Sequence, residues 1–449
     1  MNTLKAGFCR VDITPMLGIP VRGYYQLRFA DGVLDPLTAN FLALSCGDTK
    51  ALMITLDVCS VNRINGGILR KAISETTGLP MEAIFMSATH THTGPEVDAN
   101  SENPLSREYF QMLTHKLCDG AVMALADLKP AKMGWGIGTA PNIAFVRRFR
   151  MKDGSVRTNP GVNNPDILHP IGEIDERVTV LRFDREGAET LILSNFGNHP
   201  DVVGGCKLSA DWPGLLRTTT EKYLDNTRCI FFNGAQGDLN HVNVRPTGGF
   251  LNGTFNDFDD VSRGYPHALY MARVVAGGIL QAFDKVAYTD VDSLKFLQRA
   301  IQVPSNKCDP SELPEAHRIH NLRLEGRANE LPYEGMMLTT VLAAAARKVR
   351  LEDGPDFFEM ELSALSIGNL SFVGIPGEPF MAIGKAFKET EGWDLVIPCC
   401  LTNGGEGYFP MLECYEEGGY EAGSSSFKAG VAELIIDEGR KMLSQLKEA

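Results

Sequence analysis

Basic residues are in deficit along this chain. The 43 Lys and Arg stand against 56 Asp and Glu, a formal net charge of −13. With no cationic surplus to displace counterions from a polyanion, a nucleic-acid partner is excluded from the expectation, although local arginines remain able to meet a small anion. Long apolar runs are also missing. Nothing approaches the roughly 20 residues that span a bilayer, so no stable membrane insertion is expected. The opening Met1-Asn2-Thr3-Leu4-Lys5-Ala6-Gly7-Phe8 has neither the apolar region nor the cleavage pattern of a secretory signal. None of the ten cysteines forms a Cys-x-x-Cys pair, and Cys399-Cys400 are adjacent. Zinc knuckles and a disulfide framework are thereby disfavoured, and reduced thiols in the cytoplasm are the expectation. Cys9, Cys59 and Cys229 lie in apolar runs and read as small packing residues. Internal repeats and low-complexity stretches are not evident.

What remains is a folded chain of 449 residues, 44% hydrophobic and 22% charged. Apolar segments such as 41–44, 51–56, 83–86, 178–183, 190–196, 229–232 and 370–375 read as strands. Amphipathic patterns over 64–77, 108–126, 213–224 and 267–283 read as helices. Residues 178–194 predict a hairpin turning at Arg185-Glu186-Gly187. The expected class is α/β with a mixed sheet. A single domain over 1–449 is expected, with 304–332 as an excursion from it.

The chemistry collects where apolar strands stop. One strand ends in Asp57, another in His90-Thr91-His92, a third in His199-Pro200-Asp201. A fourth ends in Asn233-Gly234-Ala235-Gln236-Gly237-Asp238-Leu239-Asn240-His241, and a fifth in Pro376-Gly377-Glu378-Pro379. Strand ends are where α/β folds assemble sites. Each piece alone has an ordinary reading. Asp57 reads as a strand-end hydrogen-bonding group, His199 as a turn cap, Glu378 as a helix N-terminal acid and Asp238 as a turn residue. His90 and His92, at i and i+2 on an extended backbone, share a side and are either a hydrogen-bonded pair or the start of a metal site. Together these residues supply a His/His/Glu set of the kind that holds catalytic zinc with one open position.

The run Ala88-Thr89-His90-Thr91-His92-Thr93-Gly94-Pro95 resembles the zinc signature of the neutral, non-lysosomal ceramidases. The likeness recurs in order at His199, Gly237-Asp238, Pro376-Gly377-Glu378 and Tyr408. It also includes the opening Gly7 to Pro15, with its Asp-Ile-Thr-Pro. The resemblance implies that family's catalytic-domain fold, a mixed-sheet layered sandwich with helices on its outer faces. It further implies zinc, or another divalent transition metal, held by His90, His199, Glu378 and Tyr408. His92 would line the site, Tyr420 would contact the scissile amide, and Arg147 or Arg148 would lie near substrate. Where the family carries a catalytic serine this chain has Asn240, which cannot act as a nucleophile. The chain also stops without the family's immunoglobulin-like C-terminal module and begins without its secretory signal.

The expectation is a zinc-dependent hydrolase in which a metal-activated water attacks an amide or ester carbonyl. His92 and Tyr420 would orient the carbonyl or move a proton, while Asp238 and Asp57 would fix imidazoles. Asp211 is expected as a helix N-cap. His241, with Asn243, Arg245, Arg147 and Arg148, favours a small polar or sugar-like substrate. The alternatives are a ceramidase or other lipid N-acyl amide hydrolase, and an inactive metal- or ligand-binding homologue. Oligomeric state is not read from the sequence.

Overall fold

Alternate residues along the strands divide between two apolar faces. In Thr38–Cys46, Ala39, Phe41 and Ala43 pack into one cluster while Leu42, Leu44 and Cys46 pack into another. In Thr49–Leu56 the same split sends Leu52, Ile54 and Leu56 one way and Ala51 and Met53 the other. The period-two geometry of a strand makes this division automatic. Burial on both faces explains why these strands read as unbroken apolar runs rather than alternating ones.

The computed structural model describes residues 3–246 and 264–448. Its large sheet has the strand order Thr227–Asn233, Thr190–Phe196, Arg177–Arg185, Lys129–Thr139, Leu4–Asp12, Thr38–Cys46, Thr49–Leu56, Ile84–Ala88. The two outermost pairs are parallel and the interior pairs antiparallel. The predicted hairpin is the Arg177–Arg185 and Thr190–Phe196 pair, with Gly187 at φ 65° in its turn. Helices Arg63–Thr77 and Pro104–Ala126 cover one half of one face, and Asp211–Tyr223 and Tyr265–Phe283 cover the other half. A second sheet, ordered Leu294–Pro304, Phe357–Ile367, Leu370–Gly374, Leu395–Cys399, packs on the opposite face. Helices Met381–Lys388 and Val431–Glu448 close its outer side. The result is the expected layered sandwich of two sheets between outer helices.

The order of elements repeats. An antiparallel run of three strands is followed by a helix, a fourth strand parallel to the third, and another helix. The first unit runs from Leu4 to Ala126, the second from Lys129 to Phe283 and the third from Leu294 to Glu448. The first strands of the first two units pair at Lys5↔Pro130 and Ala6↔Lys129, joining both into one sheet. Each unit carries a long segment between its first and second strands, at 13–37, 140–176 and 305–356. The expected excursion at 304–332 belongs to the third of these. There, helices Leu313–Leu324 and Gly335–Glu352 pack on each other through Ala316, Ile319 and Leu342.

Local signals set the ends of the crossover helices. Asn62 Oδ1 accepts from Asn65 N at 2.9 Å, and Gly78 closes the same helix in the left-handed region. Helix Tyr265–Phe283 lies so close to its sheet that a Cβ on Gly278 would sit 2.8 Å from Val178 Cγ2. Full burial of side chains such as Phe41, Phe183, Phe231 and Phe372 contributes about 1.5–3 kcal/mol each relative to exposure. All ten cysteines are free. Among the described residues no helix is long and apolar enough to cross a membrane.

Candidate metal centre

His90 follows strand Ile84–Ala88 and adopts φ 77°, a conformation unusual for a non-glycine residue and characteristic of functional positions. Its backbone N donates to Val58 O at 3.0 Å. Its Nδ1 lies 2.7 Å from Cys59 O, so that nitrogen carries the proton and Nε2 presents a lone pair. His199 follows strand Thr190–Phe196. Its Nδ1 faces the carbonyls of Gln236 and Leu239, both at 3.0 Å, which likewise leaves Nε2 as an acceptor. Both Nε2 atoms aim at Glu378 Oε2, from 3.3 Å for His90 and 3.1 Å for His199.

Glu378 reaches this point through a short parallel pairing, Glu378↔Tyr408 and Pro379↔Phe409. The pairing sets two expected ligands in register although 30 residues separate them in sequence. The Tyr408 hydroxyl lies 3.4 Å from His199 Nε2. His92 Nε2 lies 3.1 Å from His90 Nε2, with the two rings edge-on. Ligand atoms of His90, His199 and Glu378 all fall within 4.8 Å of one another, and those of Cys59, His90 and His92 form a second such group.

Two imidazole lone pairs and a carboxylate oxygen cannot face one another at these distances without a cation between them. A proton on one imidazole or a divalent ion meets that need, and the buried His/His/Glu donor set is suited to an ion. The local charges favour a cation at this point and would hold a proton on His90. Burial pushes the Glu378 carboxyl up, but His90 and His199 outweigh it and hold the group well below its ordinary value. Burial pushes His90 down, yet Glu378 and Cys59 carry it well above the usual imidazole range. Burial and Arg147 keep His199 low, and burial with His90 keeps His92 lower still.

The expected imidazole partners Asp238 and Asp57 are replaced by backbone carbonyls. Asp238 Oδ1 instead accepts from Met381 N at 2.7 Å, and burial raises this carboxyl to about 6. Asp57 takes hydrogen bonds from Thr38 and Thr89 and pairs with Arg217 at 2.5 Å. It thereby locks the first unit to the helix of the second. Asp211 is the first helical residue rather than the cap. Its Oδ2 accepts from Val202 N and Val203 N at 3.0 and 2.8 Å, which pins the loop after His199.

A cavity of about 680 Å³ opens beside the centre, lined by His90, His92, Glu378, Tyr408 and Tyr420 among others. The three expected substrate-binding residues are not among those that line it. Arg147 is buried, pairs with Glu421 at 2.7 Å and lies beneath Tyr408, its guanidinium 5.2 Å from the ring centre. Arg148 is buried against Glu417, Cys414 and Phe380. His241 pairs with Asp201 at 3.1 Å. Burying a guanidinium or imidazole demands such partners. Asn240 is also buried, donating to Asn159 Oδ1 at 3.0 Å and accepting from Val242 N at 3.0 Å.

The segment 13–37 contributes wall residues that the sequence reading passed over. Tyr24 stands edge-on to His92 with ring centres 5.3 Å apart, and Tyr25 edge-on to Tyr420 at 6.5 Å. Gly23, at φ 116°, allows this approach, since a Cβ there would lie 2.5 Å from His92 Cα. The Gly23-Tyr24-Tyr25 run in an otherwise irregular stretch was the available signal. Cys59, read as a packing residue, has its Sγ 3.8 Å from His90 Nδ1.

No family model and no curated protein matches this sequence. By structure the chain is similar to the neutral ceramidase from Pseudomonas aeruginosa, with a TM-score of 0.72 and 15% identity over 99% of this chain and 75% of that one. It is similar also to a ceramidase complexed with C2, with a TM-score of 0.71 and 16% identity over 99% and 76%. The fold is that of the neutral ceramidases.

Proposed function

We propose that the protein is a metal-dependent hydrolase acting on the amide or ester carbonyl of a small polar substrate. The convergence of His90 Nε2 and His199 Nε2 on Glu378 Oε2 carries this reading. Zinc or a similar divalent ion held by His90, His199, Glu378 and Tyr408 would polarise a carbonyl and lower the pKa of a water to about 7. The protein's own contribution is orientation. Cys59 O, Gln236 O and Leu239 O fix both imidazoles before any ligand arrives. His92 lines the cavity with its Nδ1 buried and without a hydrogen-bond partner, a group placed to move a proton at the leaving atom. Burial, Tyr408 and Tyr25 hold the Tyr420 hydroxyl protonated well past its ordinary range, so it serves as a hydrogen-bond donor to a developing oxyanion. Asn240 leaves attack to water rather than to a side-chain nucleophile.

A small polar substrate is favoured because Arg22, Glu96, Asp98, Arg350 and Glu406 all face the cavity. The test is metal analysis of the purified chain and of His90→Ala, together with hydrolysis of short polar amides and of a long-chain N-acyl sphingoid. Stoichiometric metal that is lost in His90→Ala, with turnover of the short amides, is the expected result. Full metal and activity in His90→Ala would overturn the site. Turnover of the lipid alone, increased in Asn240→Ser, would transfer the reading to a ceramidase. A metal-free wild-type protein would leave only a binding role.

A further inference from the structure

The acids facing the cavity are each held by donors of the protein, and of the two arginines there only Arg22 has an acid within ion-pair distance among the described residues. Arg22 pairs with Glu96 at 2.6 Å, and Glu96 also accepts from the hydroxyls of Ser101 and Ser106 at 2.6 and 2.7 Å. Asp98 accepts from Asn65 Nδ2 at 3.2 Å and Asn100 N at 3.0 Å. Glu406 accepts from Arg63 N at 3.2 Å. Glu378 is engaged by the two histidines. Arg350, in the last turn of helix Gly335–Glu352, donates to Ser426 Oγ at 2.6 Å and has no carboxylate within 4.0 Å among the described residues. Arg350 is exposed and lines the cavity together with Ser426.

Its placement relative to the centre is set by aromatic rings. Arg350 and Glu378 both act electrostatically on the Tyr25 hydroxyl, in opposite senses. Tyr25 stands against Tyr420, and Tyr420 against Tyr408 with ring centres 5.5 Å apart. The cation thus faces the same cavity as the ligand cluster, across a short wall of tyrosines. Helix-terminal arginines are commonly dipole partners only. That role alone does not require the guanidinium to line the cavity wall, held by a serine and with Glu406 acting on it electrostatically from beyond ion-pair distance.

We propose that Arg350 is the specificity-determining residue of this site, fixing an anionic oxygen group, a carboxylate or a phosphate, at one end of a small substrate whose scissile carbonyl lies at the His90–His199–Glu378 centre. A guanidinium fork matches either oxyanion in a bidentate geometry that a lysine cannot reproduce. This inference rests on the metal-hydrolase reading and deepens it by naming the substrate class.

The experiment separates the two. Acetohydroxamate, and hydroxamates carrying carboxylate or phosphonate tails of graded length, are titrated by calorimetry into the zinc-loaded full-length chain and its R350Q and R350K variants. At least one anionic tail is expected to bind about 10- to 100-fold more tightly than acetohydroxamate, the range of a charged hydrogen bond. The tail that gains more identifies the oxyanion. R350Q is expected to erase that gain while acetohydroxamate keeps its affinity, and R350K to recover only part of it. No gain from any tail in the wild-type protein, or an equal loss for neutral and anionic probes in R350Q, overturns the role of Arg350 while the metal reading stands. Binding of none of the hydroxamates to the wild-type protein overturns the metal reading and this inference with it.

Discussion

The residues at the strand ends and the residues in the three inserted segments are built on different principles. His90, His199 and Glu378 are almost wholly buried, each placed by regular strand pairing, and their imidazoles are oriented by backbone carbonyls. Segments 13–37 and 305–356 instead supply exposed or half-buried wall residues, Arg22, Tyr25 and Arg350. The middle segment, 140–176, behaves as neither, since it buries Arg147 beneath Tyr408 as a support. The same order of strands and helices, repeated three times, therefore places the candidate metal centre with its rigid parts and shapes a cavity with its variable ones. Loops on a fixed scaffold can change a substrate preference without disturbing the ligands.

Four substitutions would break or sharpen this contrast. Glu378→Gln removes the carboxylate charge on which both histidines converge, so metal content should fall to background by elemental analysis. Turnover should fall beyond the roughly 10- to 100-fold that loss of an outer partner costs. Retention of both would detach the strand ends from the chemistry. Gly23→Ala is next, because φ 116° and the 2.5 Å approach to His92 Cα leave no room for a Cβ. Strain of about 1–3 kcal/mol is expected in the denaturation midpoint, with kcat reduced and metal retained. An unchanged midpoint and unchanged kcat would mean that the segment does not position His92.

Asp211→Asn tests the anchor behind His199 through its pH dependence. Burial raises the folded-state carboxyl to about 7 from an ordinary value of 3.8, so the folded protein holds this proton more tightly than the unfolded chain. The stability it contributes is complete below the unfolded value and is lost as pH rises through the folded one. Urea unfolding of the wild-type protein between about pH 4 and 7 should therefore carry a falling component, and Asp211→Asn should lack it. Identical slopes would refute the raised value. The smallest effect is expected at Arg327→Ala, on the outer third segment, whose pairs with Glu325 and Glu330 are solvent-exposed. Stability and kinetics should be unchanged within error, and a loss of turnover would show that the segment transmits more than a wall.

His90, His199 and Glu378 were legible because each ends an apolar strand, a purely local pattern. The hairpin at 178–194 and the crossover helices were legible for the same reason, their ends being marked by Gly187, Asn62 and Gly78. The imidazole partners were not, because a backbone carbonyl leaves no trace in residue type. Asp57 and Asp238 have the right chemistry and were expected in that place, yet both are spent on Arg217 and on the Met381 amide. Arg147, Arg148 and His241 misled in a related way. Polar residues near a site in sequence suggest substrate contact, whereas Glu421, Glu417 and Asp201, distant in sequence or outside the motif, had already claimed them.

The sequence by itself determined the apolar strands that end at the candidate site, which residue types stand at their ends, and that these types suit a divalent ion; strands Leu4–Asp12, Lys129–Thr139, Leu294–Pro304, Phe357–Ile367 and Leu395–Cys399 were not read from it. It did so because strand periodicity and turn chemistry are short-range. The tertiary structure decided the threefold repetition of elements, which survives in strand order although no internal repeat is evident in the sequence. It decided as well that the Glu378↔Tyr408 register joins two expected ligands and that Arg350 shares a cavity with them. These follow from pairing and packing between residues tens to hundreds of positions apart, where burial and charge compensation, rather than local propensity, select the partners.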